Sequence, residues 1–158
     1  METSLKGWEV MSIVNYVHFE FPSIPENVSF ARSCVGAFVS QLNCTLDDIE
    51  EIKLVVSEAV SNCIIHAYEN RSDGKIEIMA SLHDDRSLEL TVKDYGKGIE
   101  NLEQALQPSY SSDPNRMGLG FTFMKSFMDE MEISTQPHEG TSVLLKRHFL
   151  NRDRQAYA

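Results

Sequence analysis

The chain has 158 residues, 42% of them hydrophobic and 24% charged, with a formal net charge of −10. That length suits one domain with a real hydrophobic core. The acidity opposes long-range attraction to nucleic acid or anionic membrane, so a phosphorylated ligand would need a local device such as backbone amides, a metal ion or a placed basic group. No apolar run is long enough to span a bilayer, and the opening METSLKGWEV lacks the basic-then-apolar layout of a secretion signal. Cys34, Cys44 and Cys63 are odd in number and lack CxxC spacing. Reduced, packing thiols in a cytoplasmic protein are expected.

Residues 1–11 have no clear period and are expected to be a flexible lead-in. Residues 12–21 alternate in part and are rich in β-branched and aromatic side chains, which predicts a strand ending at Pro22. Pro25 suits the start of a helix, with Glu26 favourable near its positive end. Val28, Ala31, Val35, Phe38, Val39 and Leu42 form the core face of that helix, while Arg32 and Gln41 lie away from it.

Residues 45–48 supply N-cap candidates for a long helix over 50–70. Ile52, Val56, Ala59, Cys63 and Ala67 make one apolar face, and Val55, Val60, Ile64 and Ile65 cover most of the rest. Glu58 and Asn62, four residues apart and so on one side of this helix, interrupt it. A buried carboxylate costs several kcal/mol, on the order of the transfer penalty for an ion, unless something pairs with it. That pair requires a partner.

Residues 70–74 form a turn cluster, and 75–82 and 87–93 alternate as two strands of an antiparallel hairpin. The Gly-rich stretch Asp94-Tyr-Gly96-Lys-Gly98-Ile99 follows, then a short helix near 102–107. Residues 108–117 are polar and hold two prolines, which predicts a mobile surface loop. Gly118-Leu119-Gly120 opens an apolar helix. Two more strands, 131–136 and 141–149, are joined by PHEG, and the tail 151–158 is polar and expected to fray. The order β-α-α-β-β-α-α-β-β predicts one α+β domain over 12–150, with a mainly antiparallel mixed sheet and helices layered on one face.

Four pieces line up along this order: Glu58 with Asn62; Asp94-x-Gly96-x-Gly98; the loop with Arg116; and Gly118-x-Gly120. No GxxxxGK[ST] is present, and neither glycine pair completes GxGxxG in a βαβ setting, so the two familiar phosphate loops are excluded. The pieces resemble the ATP site of the GHKL, or Bergerat, fold. The stretches SEAVSNCIIHAYEN, KDYGKGI and GLGFTFMKSFMDE narrow the likeness to the anti-sigma serine kinases of spore-forming and related bacteria.

The resemblance implies a set of roles. Asp94 accepts a hydrogen bond from the adenine amino group, a charge-assisted contact of roughly 1.5–3 kcal/mol that guanine cannot make. Gly96, Gly98 and Ile99 shape the turn beside the base, with Thr141 near it. Asn62 offers an amide oxygen to Mg²⁺. Glu58 is the general base toward a serine hydroxyl. Gly118, Leu119 and Gly120 turn backbone N–H groups and a helix start toward the phosphates. Arg116, in the lid, reaches the β- or γ-phosphate and stabilises charge in transfer.

The partners implied are a sigma factor of the sigma F type and its anti-anti-sigma antagonist, contacted through Arg32, with the chain acting as a homodimer. The lid departs from the family's pattern: it is shorter, and Asp113 sits where a basic residue would help. His66 is read as structural. His18, His83, His138 and His148 have no zinc-like spacing. The expected function is a kinase that also sequesters a sigma factor, with two rivals: a nucleotide-gated sigma-binding protein without effective phosphotransfer, and the catalytic module of a histidine kinase.

Overall fold

A computed structural model describes residues 12–107 and 117–149. The expected lead-in, most of the lid with Asp113 and Arg116, and the C-terminal tail lie outside the described residues. Five strands form one sheet: β1 (Ile13–Pro22), β2 (Lys75–His83), β3 (Ser87–Asp94), β4 (Glu130–Gln136) and β5 (Gly140–His148). Their spatial order is β1-β2-β3-β5-β4. All four pairings are antiparallel, so the mixed sheet expected from the sequence is antiparallel throughout. Each link between sheet neighbours is a hairpin or passes over the helix layer, and no described strand needs a parallel crossover.

The helices are α1 (Glu26–Val39), α2 (Leu46–Asn62), the short α3 (Leu102–Ala105) and α4 (Met117–Phe127). Strand alternation decides which face they cover. Ile76, Ile78, Ala80 and Leu82 of β2 and Leu88, Leu90 and Val92 of β3 are buried under them, while Met79, Ser81 and His83 on the other face are only half-buried. Against these strands α2 sets Ile52, Val55, Val56, Ala59 and Val60, all buried.

Two devices fix where α2 starts. Thr45 Oγ1 accepts from Asp48 N at 2.7 Å, and Asp48 Oδ2 accepts from Thr45 N at 2.9 Å, a reciprocal cap of the first turn. From β5, Arg147 donates to Asp48 Oδ1 and to Glu51 Oε2, both at 2.7 Å. The helix floor is thus clamped to the sheet at the end remote from Glu58 and Asn62.

The far end departs from the sequence reading. A continuous helix to residue 70 was expected, but α2 ends at Asn62 and Cys63–Ala67 is a π-helical turn, closed by Tyr68 N donating to Cys63 O at 3.0 Å. Widening the last turn leaves the Ala67 carbonyl available to accept from Lys97 N at 3.1 Å. Such turns concentrate at functional sites. Here it joins the helix floor to the DYGKG turn.

Candidate active site

Between α2, the end of β3, β5 and α4 lies a small cleft lined by Asn62, Cys63, His66, Asp94, Gly98, Ile99, Phe121 and Thr141, with Ala59, Ala67, Val92 and Val143 as apolar walls. It has two chemically different ends.

At one end Asp94, the last residue of β3, is 5% exposed. Its Oδ1 accepts from Gly96 N at 3.0 Å and Thr141 N at 3.2 Å. Burial pushes the carboxyl above the usual carboxylate range, while the two backbone N–H groups and the Cys63 thiol pull it back. Cys63 is buried beside it and stays a thiol, because burial first and then the Asp94 charge push its pKa well above the ordinary value. An acceptor held by backbone at the bottom of an apolar pocket fits a ligand N–H donor.

The turn after Asp94 can only be glycine-built. A Cβ on Gly96 would lie 2.4 Å from the Ala67 carbonyl oxygen, and Gly98 has φ +73° with a Cβ position 2.2 Å from Gln136 O. Ile99 N donates to Thr135 Oγ1 at 2.9 Å, and that hydroxyl is 2.9 Å from Thr141 Oγ1. The turn is therefore stitched to both β4 and β5.

At the other end α4 crosses α2. The glycines expected to open this helix lie within its described span, Met117–Phe127. Gly120 faces α2 directly: a Cβ there would sit 3.0 Å from Glu58 Oε2 and 3.5 Å from Asn62 Nδ2. Gly118 packs on the Gln107 carbonyl, where a Cβ would come within 2.2 Å. Glu58 and Asn62 are half-buried, and Asn62 Nδ2 is buried without a hydrogen-bond partner among the described residues. Leu119 is 45% exposed and, like Glu58, Gly96, Gly118 and Gly120, does not itself line the cleft, which those four adjoin through Asn62, Asp94 and Phe121.

Arg32 lies outside the cleft, half-buried on α1, with Nη1 3.5 Å from Ser57 Oγ and Nη2 3.3 Å from Ser29 Oγ. Among the described residues no group of three or more His, Cys, Asp or Glu side chains could hold a metal ion, and no helix is long and apolar enough to cross a membrane. Sequence reasoning missed Phe121 and Thr135. Phe121 was hidden in an apolar helix, and Thr135 sits in an ordinary strand alternation with no local signal.

An antiparallel sheet with helices on one face and a cleft between them defines a class. Residues 21–147 match the histidine kinase-like ATPase domain. The chain is 46% identical over 139 residues to the anti-sigma F factor of Priestia megaterium, spanning 87% of this chain and 95% of that one. It is 45% identical over 137 residues to the anti-sigma F factor of Bacillus subtilis strain 168, spanning 85% and 93%. The chain thus belongs to the anti-sigma F factor family within the histidine kinase-like ATPases.

Among solved structures, the RsbU and RsbW domains of a Mycobacterium tuberculosis protein superpose with a TM-score of 0.64 at 18% identity, over 85% of this chain and 32% of that one. The SiaB–SiaC complex of Pseudomonas aeruginosa gives 0.60 at 14% identity, over 82% and 88%. These are likenesses of fold.

Proposed function

We propose that the chain is an ATP-dependent anti-sigma factor that sequesters a sporulation-type sigma factor and phosphorylates a serine of its anti-anti-sigma antagonist. The observation that carries the kinase half is the facing of Glu58 and Asn62 by Gly120: a carboxylate and an amide meet α4 where even a Cβ would come within 3.0 Å of Glu58 Oε2. Membership of the anti-sigma F factor family supports the sigma-binding half.

In this reading ATP is the phosphoryl donor. Asp94 accepts the adenine amino group and Thr141 borders the base. Backbone N–H groups of α4, at Gly118 and Gly120, face the phosphates. The oxygen of the Asn62 amide suits Mg²⁺, and among the described residues no cluster of carboxylates would hold a metal by protein alone. Magnesium held by Asn62 would supply neutralisation of the phosphate charge. Glu58 orients the incoming serine hydroxyl and takes its proton as the new O–P bond forms and the bond to the β-phosphate oxygen breaks. Arg116, the phosphate-binding residue that the family resemblance implies, lies outside the described residues. Arg32 and its surroundings on α1 take the protein partners, with the chain acting in the cytoplasm as a homodimer.

Incubation with γ-labelled ATP, Mg²⁺ and a cognate anti-anti-sigma protein tests this. Acid-stable label on a serine of the partner is expected. Sigma binding that depends on ATP, with no label on the partner at any enzyme excess, would leave the sequestering protein and remove the kinase.

A further inference from the structure

Asp94 owes its aim to backbone. Both N–H groups on its Oδ1 come from the main chain, one of them only two residues away at Gly96. Between Asp94 and Gly96 stands Tyr95, and whatever holds Tyr95 holds the carboxylate.

Tyr95 is held from both sides of the sheet. On the helix side its N–H donates to Tyr68 Oη at 2.7 Å, and Tyr68 Oη donates to Lys75 O at 2.5 Å. Tyr68 is itself 4% exposed. The side chain of Tyr95 goes the other way, to the outer face, where its hydroxyl donates to Glu77. Lys75 and Lys93 place their ammonium groups 4.6 and 4.9 Å from the centre of its ring.

Glu77 is unusual for its place. It lies on the sheet face away from the helices, yet it is 9% exposed, and it also accepts from His18 Nε2 at 3.0 Å and Lys75 Nζ at 3.3 Å. The Tyr95 hydroxyl first, then His18 and Lys75, hold its carboxyl down at about 2, so it is a fixed anion at neutral pH.

We propose that Tyr95 is a positioning residue for Asp94, acting through the hydrogen bond from its hydroxyl to the Glu77 carboxylate on the outer face of the sheet. This rests on the assignment of Asp94 to the adenine amino group. Tyr95 is 43% exposed and lies outside the buried core, so removing its hydroxyl leaves that core intact. Its loss is felt instead at the turn it pins, as a looser and less selective base site.

The test is binding of ATP, GTP and inorganic tripolyphosphate by the full chain. In Tyr95→Phe the ATP dissociation constant should rise about tenfold, the lower end for loss of one neutral-to-charged hydrogen bond. The preference for ATP over GTP should fall by the same factor, and tripolyphosphate affinity should stay unchanged. Glu77→Ala should do the same, Glu77→Gln should keep most of the wild-type preference, and the Tyr95→Phe/Glu77→Ala double variant should lose no more than either single one. An unchanged ATP-to-GTP ratio in Tyr95→Phe, equal weakening of tripolyphosphate, or additive losses in the double variant would overturn the role. If the wild type itself does not prefer ATP to GTP, the Asp94 assignment falls and this proposal with it.

Discussion

The two ends of the cleft are built on opposite principles. Around Asp94 the polar groups are buried and partnered: two backbone N–H groups on one oxygen, a thiol beside it, and a turn stitched to β4, β5 and the π-helical turn. Around Glu58 they are half-buried, with an Asn62 amide nitrogen that has no partner among the described residues and a glycine in place of a side chain on the facing helix. A closed end fixes geometry before a ligand arrives, which serves recognition. A half-buried end leaves donors and acceptors free for groups that change during reaction, which serves chemistry.

Substitutions should separate the ends by the parameter they move. The largest effect expected is from Glu58→Gln, which should slow phosphotransfer by roughly 10²–10⁴, the range for loss of a general base. ATP binding and sigma binding should stay within twofold, as measured by titration and co-purification. Equal transfer rates would remove the base role.

Asp94→Asn comes next. Loss of a charge-assisted acceptor should weaken ATP by roughly 10–100-fold and erase the preference over GTP. Competition binding with both nucleotides reads this directly, and unchanged ATP affinity would put the base elsewhere. Gly120→Ala should be milder. Its Cβ meets the end of the Glu58 side chain at 3.0 Å rather than backbone, so the carboxylate must shift by a few tenths of an ångström. A loss in transfer of about tenfold is expected from such a displacement, with the protein still folded by circular dichroism.

The smallest effect concerns stability. The pKa of Glu77 is lowered from 4.5 to about 2 in the folded chain. A depressed carboxyl contributes stability above its unfolded value and loses it as pH falls, here between pH 4.5 and about 2. Glu77→Gln should therefore lower stability at pH 7 by about 1 kcal/mol and flatten the acid limb in that window, read by urea denaturation at several pH values. An acid limb of unchanged steepness would mean other carboxylates carry it.

Much of this architecture is legible in the residues. The β2–β3 hairpin follows from strict alternation, the start of α2 from Thr45 and Asp48, and the Glu58–Asn62 pair from its helical spacing within an apolar surround. What stays hidden is set by contacts distant in sequence. The π-helical turn keeps the same apolar pattern as an α-helix, so periodicity extends α2 too far. Glu77 reads as an ordinary solvated position of an alternating strand, because only the fold brings Tyr95, His18 and Lys75 onto it. Thr135 joins the site from a strand 36 residues beyond Ile99, and nothing near it in sequence says so.

The contrast between the ends is tested most directly by steady-state transfer from γ-labelled ATP to the anti-anti-sigma protein over a series of ATP concentrations. The account predicts that Asp94→Asn raises KM for ATP with kcat nearly unchanged, and that Glu58→Gln lowers kcat with KM nearly unchanged. Both substitutions moving the same parameter would contradict it.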